Sequence, residues 1–154
     1  MLQQHLDIYR SLNAHRVKYV VIGGMAAILY GSPRMTKDLD LFIEATPRNA
    51  EQLLKALEAA GMGTAALTTP EKILANEVTI LQDIVRLDVL TSIKGLTFAE
   101  AWPKRVVKRI KGVAVPVVTL EHLIQAKRAA GRTIDLQDVK TLRTIKRLRT
   151  SMGS

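Results

Sequence analysis

The chain has 154 residues, no cysteine and a formal net charge of +9, with a sequence pI near 10.1. That length suits one domain with a real core, and the missing cysteines exclude disulfides, thiolate nucleophiles and cysteine-ligated zinc. Aromatic residues are only 4% of the chain, which argues against stacking platforms for single-stranded nucleic acid, while the positive charge favours anionic partners such as nucleotides or RNA.

Residues 2–14 place Leu2, Leu6, Ile8, Tyr9 and Leu12 near helical spacing; with no continuous apolar run they read as a helix and not as a secretory leader. VKYVVIG, residues 17–23, is β-branched and ends in glycine, the pattern of a buried strand. GMAAILYG, residues 24–31, suits a short helix closed by Gly31. DLDLFIE, residues 38–44, alternates with period two and predicts a second strand. Thr46-Pro47 opens a helix whose stripe of Ala50, Leu53, Leu54, Leu57 and Ala60 ends at Gly61.

Residues 62–76 show no clear period and read as an exposed connection. EVTILQ (77–82) and VRLDVL (85–90) predict strands joined tightly through Asp83-Ile84. A short helix is expected at 98–102. RVVKRI and VAVPVV flank Lys111-Gly112 as a hairpin, with Pro116 pushing the second arm to a sheet edge. Helices follow at 120–130 and 135–149, and SMGS at 151–154 reads as frayed.

The order predicts an α/β (α+β) fold, a mixed β-sheet with flanking helices and a C-terminal helical segment. One domain spans residues 1–150, with its sheet over about 17–118 and its last helices over 119–149. The longest weakly polar run, Tyr19–Gly31, is broken by Gly23-Gly24 and falls short of the ~20 residues a membrane span needs. A cytoplasmic protein without membrane contact is expected.

Chemistry concentrates in the acidic strand. Alternate strand residues share a face, so Leu39, Leu41 and Ile43 point one way while Asp38 and Asp40 point the other. Their Cα atoms lie roughly 6.5–7 Å apart at ~3.3 Å of rise per residue. Carboxylates this close raise each other's pKa unless a cation compensates them, and hard cations such as Mg²⁺ prefer such oxygens. Asp88 shares a strand face with Arg86 and Leu90, and joins the pair if the two strands are neighbours. Gly23-Gly24, where a strand becomes a helix, leaves backbone N–H groups open to an anion; taken alone, the glycines are explained by a plain tight turn.

VIGGM, with thirteen residues between Gly24 and Asp38, then DLDLF and later VRLDVL, resembles the signature of the polymerase-beta-like nucleotidyltransferase superfamily over residues 17–90. The resemblance implies that Asp38 and Asp40 hold divalent metals, Mg²⁺ or Mn²⁺, against the triphosphate of an NTP. It implies that Asp88 binds the catalytic metal and helps deprotonate the attacking hydroxyl. Gly23 and Gly24 would contact the β- and γ-phosphates. Many members have Ser where Gly24 stands, so its hydroxyl contact is missing here; Gly31-Ser32 lies too close to Asp38 to take its part. Arg34 and Lys37 either hold phosphate charge, as in the superfamily's small toxin-like members, or are loop cations offsetting the acidic strand. Thr36 reads as a local backbone cap.

Residues 120–142 are similar to a segment of nucleotidyltransferase-like toxins from abortive-infection and toxin–antitoxin systems, which would put Lys127 on the nucleotide. Asp135 also reads as a helix cap, and Asp138 as support for the first turn or a partner for Arg132. His5, His15 and His122 are dispersed without metal-ligand spacing. Lys140, Arg143, Lys146, Arg147 and Arg149 form a basic stripe opposite Leu142, Ile145 and Leu148, either a solvated face or an RNA-docking surface.

The expected activity is transfer of a nucleoside monophosphate from an NTP to a hydroxyl of RNA, protein or a small molecule, in a toxin–antitoxin context. A homodimer or a cognate partner protein would complete the acceptor side. The rivals are a catalytically inactive antitoxin or binding module on the same fold, and a basic RNA-binding domain whose aspartates are incidental.

Overall fold

The computed structural model describes residues 3–152. Met1, Leu2, Gly153 and Ser154 lie outside the described residues, and with them Leu2's part in the first helix and the last two positions of SMGS. α1 (Gln3–Ala14) buries Leu6, Ile8, Tyr9 and Leu12. β1 (Tyr19–Ile22) is buried along its whole length and passes directly into α2 (Gly23–Leu29). The other strands are β2 (Leu39–Ile43), β3 (Val78–Gln82), β4 (Arg86–Leu90), β5 (Val106–Ile110) and β6 (Val113–Val117). Together they form one six-stranded sheet of order β3-β4-β2-β1-β6-β5. The β2–β4 and β1–β6 pairs are parallel and the rest antiparallel. With α3 (Pro47–Ala59), α4 (Pro70–Ala75), α5 (Phe98–Lys104), α6 (Leu120–Ala130) and α7 (Thr133–Ser151) around it, this is the mixed sheet with flanking helices that the sequence predicts.

One device starts four of the helices. Thr46, Thr69, Thr97 and Thr119 each accept a hydrogen bond from the backbone N–H three residues on, which satisfies an otherwise orphaned donor and contributes about 1 kcal/mol per cap. Thr69 explains a correction. Residues 62–76 are not an exposed connection: a 3₁₀ turn (Gly63–Leu67) and α4 carry Met62, Ala65 and Ile73 into the core. Six residues of helix are too few to show a period, and the Thr69-Pro70 start was its only mark.

Pro116 does not put its strand at an edge. β6 lies between β1 and β5, and its seam with β1 sits just past the proline, at Val21 beside Val117 and a 3.2 Å bond from Val118 N–H to the Val21 carbonyl. The missing N–H therefore disturbs little of the ladder. The edges are β5 and β3, where Val107 and Ile80 are exposed. On α7, Leu142 is buried but Leu148 is exposed, so the apolar stripe opposite the basic residues ends before the helix does. Among the described residues no helix is long and apolar enough to cross a membrane.

Candidate active site

The parallel pairing of β2 with β4 sets Leu39 beside Leu87 and Asp40 beside Asp88. The leucines of this register fill the core, so the aspartates emerge together on the other face. Asp38 sits one residue before β2, exposed at the rim. On the opposite side of β2, the antiparallel register places Ile22 beside Asp40. Gly23 therefore starts α2 against the carboxylate, at φ +73, and a Cβ there would overlap Asp40 Oδ2. Only glycine satisfies both the conformation and the close approach. No side-chain cap engages the first turn of α2, which leaves its N–H groups facing the same space.

That space is a cleft of about 440 Å³. Gly23, Gly24, Arg34, Asp38, Asp40 and Asp88 line it from the sheet side, with Arg86 beside them, and Lys127, Arg132 and Asp135 line it from α6 and α7. Lys37 is not brought into it: its side chain is exposed, and its carbonyl accepts a 3.1 Å hydrogen bond from His5 Nε2. Thr36 does cap locally, its Oγ1 accepting from the Asp38 N–H at 3.2 Å.

The sheet wall is net acidic, whereas the facing wall matches Lys127 and Arg132 with Asp135 and Asp138. Burial, reinforced by Asp88 and Asp38, pushes the Asp40 carboxyl up to about 6, against the pull of Lys127 and Arg86. Its carboxylate accepts no hydrogen bond among the described residues. The cations of the facing wall are braced in ion pairs. Lys127 Nζ lies 2.7 Å from Asp138 Oδ2 and 3.9 Å from Asp135, and Arg34 donates to the same Asp138 oxygen at 2.6 Å. Arg132 grips Asp135 through two nitrogens, at 2.7 and 3.2 Å. Burial pushes the Asp135 carboxyl up, yet Arg132 and Lys127 hold it below the usual range.

Asp135 caps α7 as spacing suggests, and it also takes the Arg132 side chain that spacing offered to Asp138. Arg132 pairs with Asp135, which also accepts from the Arg132 backbone N–H at the helix start, while Asp138 is the hub joining Arg34 to Lys127. The Arg34 guanidinium lies over Gly24, where a Cβ would stand 3.1 Å from its Cζ. It occupies the ground that a serine side chain at position 24 would enter. Arg86 is the site-lining residue that the sequence left unassigned, while Arg132 and Asp138 were assigned only to the start of the helix. For Arg86 a signal existed, since it stands two residues before Asp88 on one strand.

Lys127→Ala leaves two buried carboxylates short of a cation. Because Arg34 and Arg132 remain, the expected loss is about 3 kcal/mol, the low end for breaking a buried ion pair. Urea denaturation at pH 7 reads it, and an unchanged midpoint would contradict the bracing role.

The donor set suits a hard cation. Asp40 and Asp88 are adjacent carboxylates, and Mg²⁺ is commonly held by one or two carboxylates with water and phosphate oxygens completing its shell. Among the described residues no three His, Asp or Glu side chains are gathered closely enough to hold a metal by themselves, so ligand oxygens would have to share the coordination.

Two solved structures share the fold. One is a provisionally assigned nucleotidyltransferase from Thermotoga maritima, 19% identical, with a TM-score of 0.55 over 89% of this chain and 86% of that one. The other is an antigenic nucleotidyltransferase-like protein from Paracoccidioides brasiliensis, 18% identical, with a TM-score of 0.54 over 91% of this chain and 76% of that one. No curated protein matches. The model of a family described as nucleotidyl transferases of unknown function (DUF2204) matches residues 1–153, and the chain belongs to that family.

Proposed function

We propose that the protein is a metal-dependent nucleotidyltransferase that moves a nucleoside monophosphate from an NTP to an acceptor hydroxyl. The observation that carries this reading is the in-register pair Asp40 and Asp88 beside the close approach of Gly23, with the ion-paired Lys127 and Arg132 across one cleft. Asp40 and Asp88, with Asp38 at the rim, would hold Mg²⁺ or Mn²⁺, which when bound supplies charge stabilisation to the transferring phosphoryl group.

The chain's own groups account for the remaining tasks. The N–H groups of the Gly23-Gly24 turn face the β- and γ-phosphates. Arg34 above Gly24, and Lys127 from α6, offset the triphosphate charge. Asp88 accepts the proton of the attacking hydroxyl. A new bond forms between the acceptor oxygen and the α-phosphorus, and the bond to pyrophosphate breaks.

RNA is the acceptor that the surface favours. Lys108 Nζ from β5 and Arg149 Cζ from α7 lie 4.5 and 5.2 Å from the centroid of the Tyr30 ring. Two cationic elements therefore meet on one surface, as a phosphate backbone requires. The resemblance of residues 120–142 extends the proposal to a toxin–antitoxin role in the cytoplasm, with a cognate partner or a second copy completing the acceptor side.

Incubation with each labelled NTP, Mg²⁺ or Mn²⁺, and total RNA or protein tests it. Label is expected in RNA with wild type, and none with Asp40→Asn. Label confined to protein would overturn the RNA acceptor. No transfer from any NTP, alongside tight capture of a partner chain, would replace the enzyme by a binding module.

A further inference from the structure

One charge on the acidic face has no task in this scheme. Arg86 precedes Asp88 by two residues, so both side chains leave β4 on one face, and Arg86 Nε lies 3.2 Å from Asp88 Oδ1. Continuing the register of Leu39 beside Leu87 brings Arg86 level with Asp38. Among the described residues it is the only cation within ion-pair distance of any of the three carboxylates.

Its tether is slight. Arg34 and Lys127 are both fixed on buried Asp138, and Arg132 holds buried Asp135 with two nitrogens. Arg86 engages Asp88 through Nε alone, its side chain is 42% exposed, and its terminal nitrogens donate to no protein group among the described residues. A partly exposed pair of this kind is weak and exchanges readily. A divalent cation and a guanidinium cannot share one carboxylate oxygen without strong repulsion. A cation that takes Asp88 Oδ1 therefore displaces Arg86, and the cleft Arg86 lines is where a bound nucleotide's phosphate oxygens would become its next partner.

We propose that Arg86 is a two-position cation: it neutralises Asp88 until a divalent metal takes the carboxylates, and then turns its guanidinium to the phosphates of the bound nucleotide. The role rests on the nucleotidyltransferase reading. It makes Arg86 a brake on metal binding and an aid to nucleotide binding, two effects of opposite sign that a merely structural arginine would not produce.

Calorimetric titration tests it with two probes, Mn²⁺ alone and inorganic tripolyphosphate in saturating Mn²⁺. Arg86→Gln is expected to bind Mn²⁺ about tenfold more tightly, having lost a positive charge beside the site. The same variant is expected to bind tripolyphosphate about tenfold more weakly, having lost a charge-assisted donor. Arg86→Lys should restore most of both. Wild-type affinities for both probes in a folded Arg86→Gln protein, while Asp40→Asn still loses Mn²⁺, would overturn the Arg86 role alone. If wild type, Arg86→Gln and Asp40→Asn all fail to bind Mn²⁺, the nucleotidyltransferase reading falls and takes this role with it.

Discussion

Replacing Gly23 by alanine is expected to remove the nucleotide site and to destabilise the fold at the same time. The residue sits at φ +73, where an L side chain costs about 1–2 kcal/mol. The added methyl would also overlap Asp40 Oδ2. Asp40 cannot yield in the strand plane, because β1 and β4 pair with β2 on its two sides. Its carboxylate must therefore rotate off the face it shares with Asp88. A displacement near 1 Å at a reacting centre lowers rates by about 100-fold, and that loss is expected in NTP-dependent transfer. Gly24→Ala is the control. Its φ lies outside the left-handed region, and its methyl would stand 3.1 Å from Arg34 Cζ, so a shift of a few tenths of an ångström suffices where Gly23→Ala overlaps outright. A Gly23→Ala protein with wild-type thermal stabilisation by Mg²⁺ and NTP would refute the close approach.

Asp40→Asn is expected to abolish transfer and yet to stabilise the protein at neutral and alkaline pH. The unfolded chain ionises this carboxyl near its ordinary 3.8, the folded chain near 6. Below pH 3.8 both states bind the proton and the contribution is fully present. Between 3.8 and 6 the unfolded chain ionises first, and stability is lost until the folded carboxyl ionises too. Above pH 6 the deficit is complete, at up to about 3 kcal/mol, less whatever water in the cleft returns. Asparagine carries no such deficit. The variant should therefore denature at higher urea than wild type at pH 8, and at similar urea at pH 4. Mg²⁺ with NTP should stabilise wild type and leave the variant unmoved. A variant less stable than wild type at pH 8 would mean that Asp40 is not the uncompensated buried charge described.

The sequence made β2 and β4 readable because their two faces differ chemically, so period-two alternation marks both the strands and the side on which Asp40 and Asp88 emerge. Their adjacency was only permitted, since pairing of strands far apart in the chain is not written in either one. Asp138 shows what spacing misses. Its partner Arg34 lies 104 residues away and Lys127 11 residues away, while Arg132, the near cation that spacing proposed, is held by Asp135 instead. Arg34 and Lys37 share a loop with no period, and only the fold separates the one that enters the cleft from the one that leaves it. Pro116 misled because a proline is read as an edge residue, whereas here the adjoining seam begins just beyond it.

The α6 and α7 wall is the last part of the cleft to be made. Every strand of the sheet is complete by Val117, yet Lys127, Arg132 and Asp138 lie on α6, at the α7 N-cap and on α7. A chain growing on the ribosome therefore passes through a stage with the sheet already synthesised and its acidic face still uncovered. Arg34 and Arg86 are then its nearest countercharges, and the cleft closes only after residue 138 has left the exit tunnel. Any nascent chain shorter than residue 127 therefore carries the acidic face without Lys127, Arg132 or Asp138.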